Sequence, residues 1–196
     1  MQILKINQKN FKEIVKIVVK SIKEGKVVIF PTDTVYIPVA DATNKKTVEK
    51  IFLIKKRSPK KPIPIFVKDI KMAKKIAKID KRQEKFLKIV WPGRVTAVLR
   101  RKKSEIKLYG VAKDTIALRI PNFKLVNLLL KELNRPLVGT SANVSGKPAS
   151  GNLEKVLNQF KERKYQPDLI IDAGPLLGKP SKVIDLTVSP PKILRE

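Results

Sequence analysis

Short apolar segments that alternate with amphipathic ones are the feature that most constrains the fold of this chain. The first apolar segment, KVVIF at 26–30, follows Phe11–Glu24, whose apolar residues recur at the spacing of one helix face, and Gly25 between them suits a helix cap. Interleaved strands and helices predict an α/β fold with a mixed sheet. Further strands are predicted at PIPIFV, VTAVLRR, TIALRI, PLVGT, DLIIDA and KVIDLT, and further helices from about Lys45, within 68–90, at Phe123–Leu133 and at Leu153–Phe160.

The chain has the length for one sizeable core, and nothing in it marks a boundary between domains. Its 196 residues are 42% hydrophobic, and they contain no internal repeat and no low-complexity linker. We therefore predict a single domain over residues 1–196. No apolar run approaches the roughly 18 residues of a membrane span, and the N-terminus does not resemble a secretory signal, so we expect a cytoplasmic protein without a membrane partner.

The charge and the missing residue types limit the chemistry. Lys and Arg number 44 against 17 Asp and Glu, a net charge of +27, which attracts polyanions such as nucleic acid and nucleotides. Genome composition or solvated helix faces explain the same excess equally well. The chain has no cysteine and no histidine, which excludes disulfides, thiolate catalysis and cysteine-bound metal, and removes the usual neutral-pH base.

Three polar clusters follow or precede predicted strands. They are PTDT after KVVIF, KKRSPKK at Lys55–Lys61, and TSANVSG at Thr140–Gly146. Ligands bind at strand ends in open α/β sheets, and fixed cations with hydroxyl and amide groups suit a triphosphate and an amino acid. Each cluster alone also fits a turn, a cap or a solvated helix end. Neither a phosphate loop nor a dinucleotide fingerprint is present.

The clusters belong to a longer series of motifs in a fixed order. The series reads FPTDTVY, IKKRSPKKP, WPGRVTAVL, IALRIP, LVGTSANVSG and PSKVIDLT with ILR, and it extends over nearly the whole chain. It resembles the threonylcarbamoyl-AMP synthase family, whose domain is called YrdC-like, in its short single-domain form. The resemblance implies a twisted sheet flanked by helices, with a positively charged concave groove.

The resemblance also implies a reaction. Members of the family condense L-threonine, bicarbonate or CO₂, and ATP into threonylcarbamoyl-AMP and pyrophosphate, with Mg²⁺ on the triphosphate. The product feeds modification of the tRNA adenosine beside the anticodon, so tRNA threonylcarbamoyl-transfer proteins are expected downstream and tRNA or double-stranded RNA is a candidate ligand. Such a transfer depends on positioning and charge neutralisation, which a site without histidine can supply.

The matched positions assign the site residues. The family's K-x-R pair corresponds to Lys55 and Arg57, which are expected to neutralise charge during catalysis. Its S-x-N pair corresponds to Ser141 and Asn143, which are expected to orient the substrate. The expected threonine-binding residues are Thr34, Phe66, Arg119 and Ser181. The expected ATP-binding residues are Arg57, Lys61, Thr96, Ser141, Asn143, Ser145 and Arg195. No protein-bound metal is expected.

Five positions depart from the family pattern. Ile37 and Pro38 replace a Gly-Leu pair, and because a β-branched residue disfavours positive φ we expect a turn of different shape there. Phe66 stands where His is common, Lys61 where Asn is common, and Lys182 where Thr is common.

Two other functions fit the same sequence. The first is a non-catalytic RNA-binding module on the same groove, supported by the net charge and by the departures at Ile37, Pro38 and Phe66. The second is a related carbamoyl-adenylating domain, although such domains usually belong to longer chains with zinc fingers, which need cysteine. Release of pyrophosphate with threonine would separate the synthase from the RNA-binding module.

Overall fold

The elements of the fold follow the predicted alternation of strands and helices. Residues 2–196 are described from a computed structural model of the chain. The strands are β1 (Gln2–Lys5), β2 (Val28–Phe30), β3 (Ile37–Asp41), β4 (Ile65–Phe66), β5 (Val95–Arg100), β6 (Thr115–Arg119), β7 (Leu137–Gly139), β8 (Leu169–Asp172), β9 (Lys182–Asp185) and β10 (Lys192–Arg195). The helices are α1 (Phe11–Lys23), α2 (Lys45–Lys55), α3 (Ile70–Ile76), α4 (Lys81–Val90), α5 (Lys124–Leu133) and α6 (Leu153–Leu157).

The strands form one mixed sheet in the order β1-β8-β2-β3-β7-β4-β6-β5-β9-β10. Its parallel pairs are β1 with β8, β2 with β8, β4 with β6 and β5 with β9, and the other neighbours are antiparallel. The predicted α/β fold with a mixed, twisted sheet is therefore confirmed. Among residues 2–196, no helix is both long and apolar enough to cross a bilayer.

Successive strand residues point to opposite faces of the sheet, and each face has its own core. Residues such as Ile65, Ala97 and Leu118 pack in the larger core with α2. Their neighbours in sequence point the other way, and on that face α1 and α5 cover part of the sheet. Thr96 and Arg119 lie on this second face, over the strands that α1 and α5 leave uncovered.

Helix α1 shows how the sequence sets these elements. Its buried side chains fall on one face, as their spacing predicted. The predicted cap is confirmed, because Gly25 has φ +76° and its N–H donates to Ile22 O, while the Lys26 N–H donates to Ser21 O. This pair of hydrogen bonds is the Schellman motif, which needs a residue that tolerates positive φ.

The expectation for Ile37 and Pro38 was wrong. Both residues lie in β3, a buried strand between β2 and β7, rather than in a turn. No positive φ occurs at either position, so the β-branched side chain of Ile37 fits without strain. Pairing with β7 begins only at Val39, so the N–H that Pro38 lacks is not needed there. The sequence analysis also missed β1 and β10 at the two edges of the sheet.

Candidate functional site

A small cavity on the second face of the sheet brings together most of the residues assigned from the motifs. Its volume is about 50 Å³, and its lining includes the assigned residues Thr34, Phe66, Thr96, Arg119, Ser141, Ser181 and Arg195. These residues come from the segment before β3, from β4, β5, β6 and β10, and from the segments around β7 and β9. Strand alternation and strand order thus assemble a site from positions far apart in sequence.

Arg119 is the buried cation of this site. Its Nη2 lies 2.6 Å from Asp33 Oδ1, and both side chains are almost fully buried, at 3% and 8% exposure. Its Nε donates to Gly93 O at 2.9 Å, and its guanidinium lies 5.6 Å from the centre of the Phe66 ring. Burial lowers the pKa of Arg119, and the Asp33 carboxylate acts in the opposite direction. The guanidinium keeps N–H donors free for a carboxylate.

The Thr34 hydroxyl is held in a defined orientation beside Arg119. The single hydroxyl hydrogen of Thr32 goes to Val35 O at 2.7 Å, so Thr34 must be the donor in the 2.8 Å contact between the two hydroxyls. Thr34 Oγ1 accepts a long hydrogen bond from Arg119 Nη1 at 3.4 Å. Its remaining lone pair can accept a hydrogen bond from the amine or hydroxyl of a ligand.

Ser181 links two other assigned residues at the far side of the cavity. Its hydroxyl is 2.9 Å from Thr96 Oγ1, and its carbonyl accepts from Arg195 Nε at 3.0 Å and Nη2 at 2.6 Å. Burial lowers the pKa of Arg195. These contacts leave the Nη1 donors of Arg195 available, and they aim a fixed cation at the cavity.

Lys55 and the S-x-N pair form a buried network. Lys55 Nζ donates to Ser141 O at 2.5 Å, to Asn143 O at 2.7 Å and to Asn143 Oδ1 at 3.3 Å. Ser141 Oγ donates to the same Asn143 oxygen at 2.5 Å, and the Asn143 amide donates to Val144 O and Lys147 O. The side chains of Lys55 and Asn143 therefore fix the shape of the loop that carries Ser141.

Two features of the site act in opposite directions on the protonation of Lys55. Burial, with a smaller contribution from the Arg57 charge, lowers the pKa of Lys55 to about 7. Three oxygen acceptors surround the amine, however, and only the ammonium form has three hydrogens to donate. The acceptor geometry therefore favours the protonated form at and below neutral pH. In this arrangement Lys55 acts on the loop, with no donor left for a phosphate.

The remaining assigned residues lie outside the small cavity. Arg57 donates to Lys61 O at 2.9 Å and to Pro62 O at 2.8 Å, and it lines a much larger cavity beside α2. Burial lowers the pKa of Arg57. The Lys61 side chain is exposed. Ser145 contributes a backbone N–H to Lys55 O at 2.7 Å, and its buried hydroxyl has no hydrogen-bond partner within residues 2–196.

The segment 173–180 between β8 and β9 covers the cavity, and we call it the strap. A Cβ added to Gly178 would lie 2.5 Å from Thr34 Cα and 2.6 Å from Asp33 O, so backbone approaches backbone there. At its other end, the Tyr36 hydroxyl donates to Gly174 O at 2.6 Å. A cavity of about 50 Å³ is far below the roughly 300–1,000 Å³ of ligand sites, so a substrate would fit there only if neighbouring segments such as the strap moved.

The sequence analysis did not assign several residues that shape the site. Asp33 fixes Arg119, and Gly178 admits the strap. Gly139 makes room for Phe66, because a Cβ there would lie 2.5 Å from the aromatic ring. The role of Asp33 could have been predicted from the sequence, because a carboxylate next to Thr34 is the expected ion-pair partner of a buried arginine in the same site. The two glycines carry no local signal, because their neighbours are distant in sequence.

Within residues 2–196, no group of three or more carboxylate side chains could hold a metal ion. The acid nearest the site, Asp33, is already paired with Arg119. The Mg²⁺ expected with ATP would be bound by the triphosphate and would arrive as part of the substrate.

Comparison with known proteins gives a consistent family. The sequence profile named Sua5/YciO/YrdC, described as "Telomere recombination", matches residues 20–196. The threonylcarbamoyl-AMP synthase of Pyrococcus abyssi is 35% identical over 183 residues, which are 92% of this chain and 53% of that protein. The putative threonylcarbamoyl-AMP synthase of Methanocaldococcus jannaschii is 34% identical over 188 residues, 95% of this chain and 86% of that protein.

The fold is similar to that of a solved relative. The crystal structure of P. abyssi Sua5 complexed with L-threonine superposes with a TM-score of 0.86 and is 34% identical in sequence. The superposition covers 99% of this chain and 56% of that one. The chain thus spans little more than half the length of the Pyrococcus protein.

Proposed function

The chain belongs to the Sua5/YciO/YrdC family, as its ordered motifs predicted, and from this we propose that it is a threonylcarbamoyl-AMP synthase. Its substrates would be L-threonine, bicarbonate or CO₂, and ATP with Mg²⁺, and its products threonylcarbamoyl-AMP and pyrophosphate. The observation that supports the proposal most directly is that Arg119, Thr34 and Phe66 line one cavity; we call these three residues the threonine-binding corner. It offers a carboxylate clamp, a hydrogen-bond acceptor and an apolar wall within one cavity.

These three groups match the parts of threonine. The free N–H donors of Arg119 would bind the carboxylate, because a planar guanidinium holds a carboxylate in a fixed orientation. Thr34 Oγ1 would accept from the amine or the hydroxyl. Phe66 would contact the substrate methyl group, which separates threonine from serine by only about 1 kcal/mol. The burial of the Asp33–Arg119 pair holds the clamp in place before substrate arrives.

The chemistry requires one carbon–nitrogen bond and one phosphorus–oxygen bond to form. The threonine amine attacks the carbon of CO₂ and loses a proton, or attacks the carbon of bicarbonate and loses a proton while hydroxide leaves, the two departing together as water; either route gives a carbamate. A carbamate oxygen then attacks the α-phosphorus, the bond from that phosphorus to the bridging oxygen breaks, and pyrophosphate leaves. No protein nucleophile takes part, so the chain's contribution is to position the reactants and neutralise charge.

The assigned cations divide between direct and indirect roles. Arg195 keeps donors free at the cavity and would bind a phosphate. Lys55 would act as a positioning residue, because its amine holds the loop that presents Ser141. Arg57 would reach the triphosphate only after giving up its contacts with Lys61 and Pro62. We therefore expect the loop at 56–64 to move when ATP binds.

A pyrophosphate-release assay tests this function. The full chain with ATP, Mg²⁺, threonine and bicarbonate should release pyrophosphate, and omitting threonine or bicarbonate should stop it. Replacing Arg119 with Met should abolish the threonine-dependent release of pyrophosphate. The control Arg135→Met removes an arginine that pairs with Asp41 at 2.7 Å and is 57% exposed, and it should leave the rate unchanged. Release that ignores threonine would contradict the proposal.

The non-catalytic RNA-binding module is not favoured as a replacement for this function. Relatives that match 92% and 95% of the chain carry the synthase name, and Arg119, Thr34 and Phe66 line one cavity, an arrangement that RNA binding alone would not require. The tRNA threonylcarbamoyl-transfer proteins and the cytoplasmic location remain part of the proposal, since the product must reach a tRNA.

A further inference from the structure

A groove lies between α1 and α5, on the side of these helices that faces solvent. Its volume is about 640 Å³, and it is lined by side chains of α1, of the second half of α5 and of Glu24. The first turns of the two helices are adjacent, since Lys124 Nζ lies 5.8 Å from the centre of the Phe11 ring. Within residues 2–196, the groove shares no lining residue with the small cavity or with the cavity that Arg57 lines. We call it the helix groove.

The floor of the helix groove is apolar. Val15 and Val19 are four residues apart on α1 and therefore lie on one face of that helix, and Leu128 contributes from α5. Val15 is buried, whereas Val19 and Leu128 pack against the core but stay partly exposed. A ligand with apolar side chains would remove this surface from water, which favours binding.

Four lysines of α1 also line the helix groove, and we call them the lysine row. Lys12, Lys16, Lys20 and Lys23 follow one another at spacings of four, four and three residues, which places them in one line along the helix. All four are exposed. Within residues 2–196, Lys20 lies 4.0 Å from Glu24, and the other three form no ion pair. Like charges at these spacings destabilise a helix, so an acidic ligand would stabilise the lysine row.

The α5 side of the groove has the opposite charge. Glu132 lies four residues after Leu128, is exposed, and forms no ion pair in the part of the chain that the structure describes. An acidic group in the groove is therefore attracted to α1 and repelled from α5. This difference sets which edge of a ligand faces the lysine row.

Three other occupants fit the helix groove less well. A second copy of the chain carries the same lysine row and the same net charge of +27, so two copies repel each other. A helix that lies on a bilayer inserts exposed apolar side chains, and within residues 2–196 no large apolar side chain of α1 or α5 is exposed in this way. A nucleic acid would contact the lysines and leave the apolar floor uncovered.

We propose that the helix groove binds an acidic amphipathic helix of a partner protein. The apolar side chains of that helix would contact Val15, Val19 and Leu128, and its Glu or Asp side chains would lie beside the lysine row. From Lys12 to Lys23 the row is about 17 Å long at 1.5 Å per residue, so roughly 12 residues of a partner helix would extend along it. The groove is separate from the residues assigned to threonine and ATP, and the proposal does not rest on the synthase function.

The test measures binding of a fluorescent peptide by anisotropy, at about 0.15 M salt to screen non-specific attraction. The peptide has about 15 residues, with Leu at the spacing of one helix face and Glu and Ala elsewhere. Replacing both Lys16 and Lys20 with Glu should weaken binding at least about tenfold, because two attractions become two repulsions. The matched control replaces Lys81 and Lys85 with Glu, an exposed pair at the same spacing on α4. It makes the same change in net charge and should weaken binding by no more than about threefold.

Nuclear magnetic resonance locates the bound peptide. The methyl signals of Val19 and Leu128 should shift on titration of the wild-type chain, because both side chains line the groove. The methyl signals of Ile89, which is 77% exposed on α4, should stay in place. Circular dichroism of both double variants should match that of the wild type, so that a loss of binding reports on the surface and not on folding.

Further arms separate the proposed occupant from the others. A peptide whose leucines are replaced by Ser should bind at least about tenfold more weakly, because it keeps the charge and loses the apolar contacts. Equal binding of the two peptides, or equal weakening by the two double variants, would assign the attraction to net charge and overturn the proposal. It would also be overturned if the peptide failed to bind while Lys16 and Lys20 were needed for binding to phosphatidylserine vesicles or for a dimer seen by sedimentation.

Discussion

Asp33→Asn tests whether the buried ion pair holds Arg119 in place in the proposed threonine-binding site. The Asp33–Arg119 contact is 2.6 Å long, and at an effective dielectric constant of about 20 such a pair attracts by roughly 6 kcal/mol before desolvation. The substituted amide would keep the shape of the side chain but not its charge. Arg119 would retain Gly93 O, Thr34 and the Phe66 ring, so we expect a net loss of about 3 kcal/mol in unfolding free energy, typical for one broken buried pair.

Urea denaturation followed by circular dichroism measures this loss. The matched control is Glu84→Gln, the same acid-to-amide change in a 2.6 Å contact with Lys74, where the lysine is 43% exposed. Solvent screens that pair, so its loss should be several times smaller. In an Arg119→Met background, Asp33→Asn should be neutral or stabilising, because the uncompensated charge is then the carboxylate. Equal losses for Asp33→Asn and Glu84→Gln would refute the role of burial.

Three further predictions concern the strap and the K-x-R pair. Gly178→Ala should push the strap from Thr34 and, because threonine would then displace the strap more easily, lower the KM for threonine with a smaller change in kcat; unchanged kinetics would show that the strap does not guard the site. Arg57→Ala should lower turnover by about 10²-fold, the scale of one lost electrostatic contact, with only partial rescue by Arg57→Lys; a wild-type rate would remove Arg57 from the reaction. Burial lowers the pKa of Lys55 from 10.5 in the unfolded chain to about 7 in the folded protein, so between these pH values the unfolded state binds more protons at this residue. The free energy of unfolding of the wild type should therefore rise from pH 7 to pH 10.5. It should rise less in Lys55→Met.

The sequence predicted those parts of the fold that depend on local periodicity. Helix α1 and its Gly25 cap are examples, since both follow from spacing within one segment. Strand β3 was missed because Ile37 and Pro38 were compared with the glycine turn of the family. Proline is tolerated in this strand because pairing with β7 begins only at the next residue, Val39. Strands β1 and β10 are short edge strands that depend on distant partners, β8 and β9, for their definition.

The sequence predicted which residues belong to the candidate site but not which groups their side chains contact. Thr34, Arg119 and Ser181, which were assigned to threonine, line the same cavity as Thr96 and Arg195, which were assigned to ATP. The order of motifs could not reveal that the donors of Lys55 are all used within the protein, because that depends on how deeply the end of α2 is buried. It also could not place Arg57 beside a different cavity, since the direction of a long side chain is set by nearby carbonyl groups.

The most direct test of the central claim is to identify the reaction product. The full chain would be incubated with ATP, Mg²⁺, L-threonine and ¹³C-labelled bicarbonate, and the nucleotides separated and analysed by mass spectrometry. We predict an adenylate that contains threonine and the ¹³C label, formed together with one pyrophosphate for each molecule. ATP that stays intact, or that yields AMP and pyrophosphate without any labelled threonine adduct even when the product is analysed immediately, would contradict the assignment as a threonylcarbamoyl-AMP synthase.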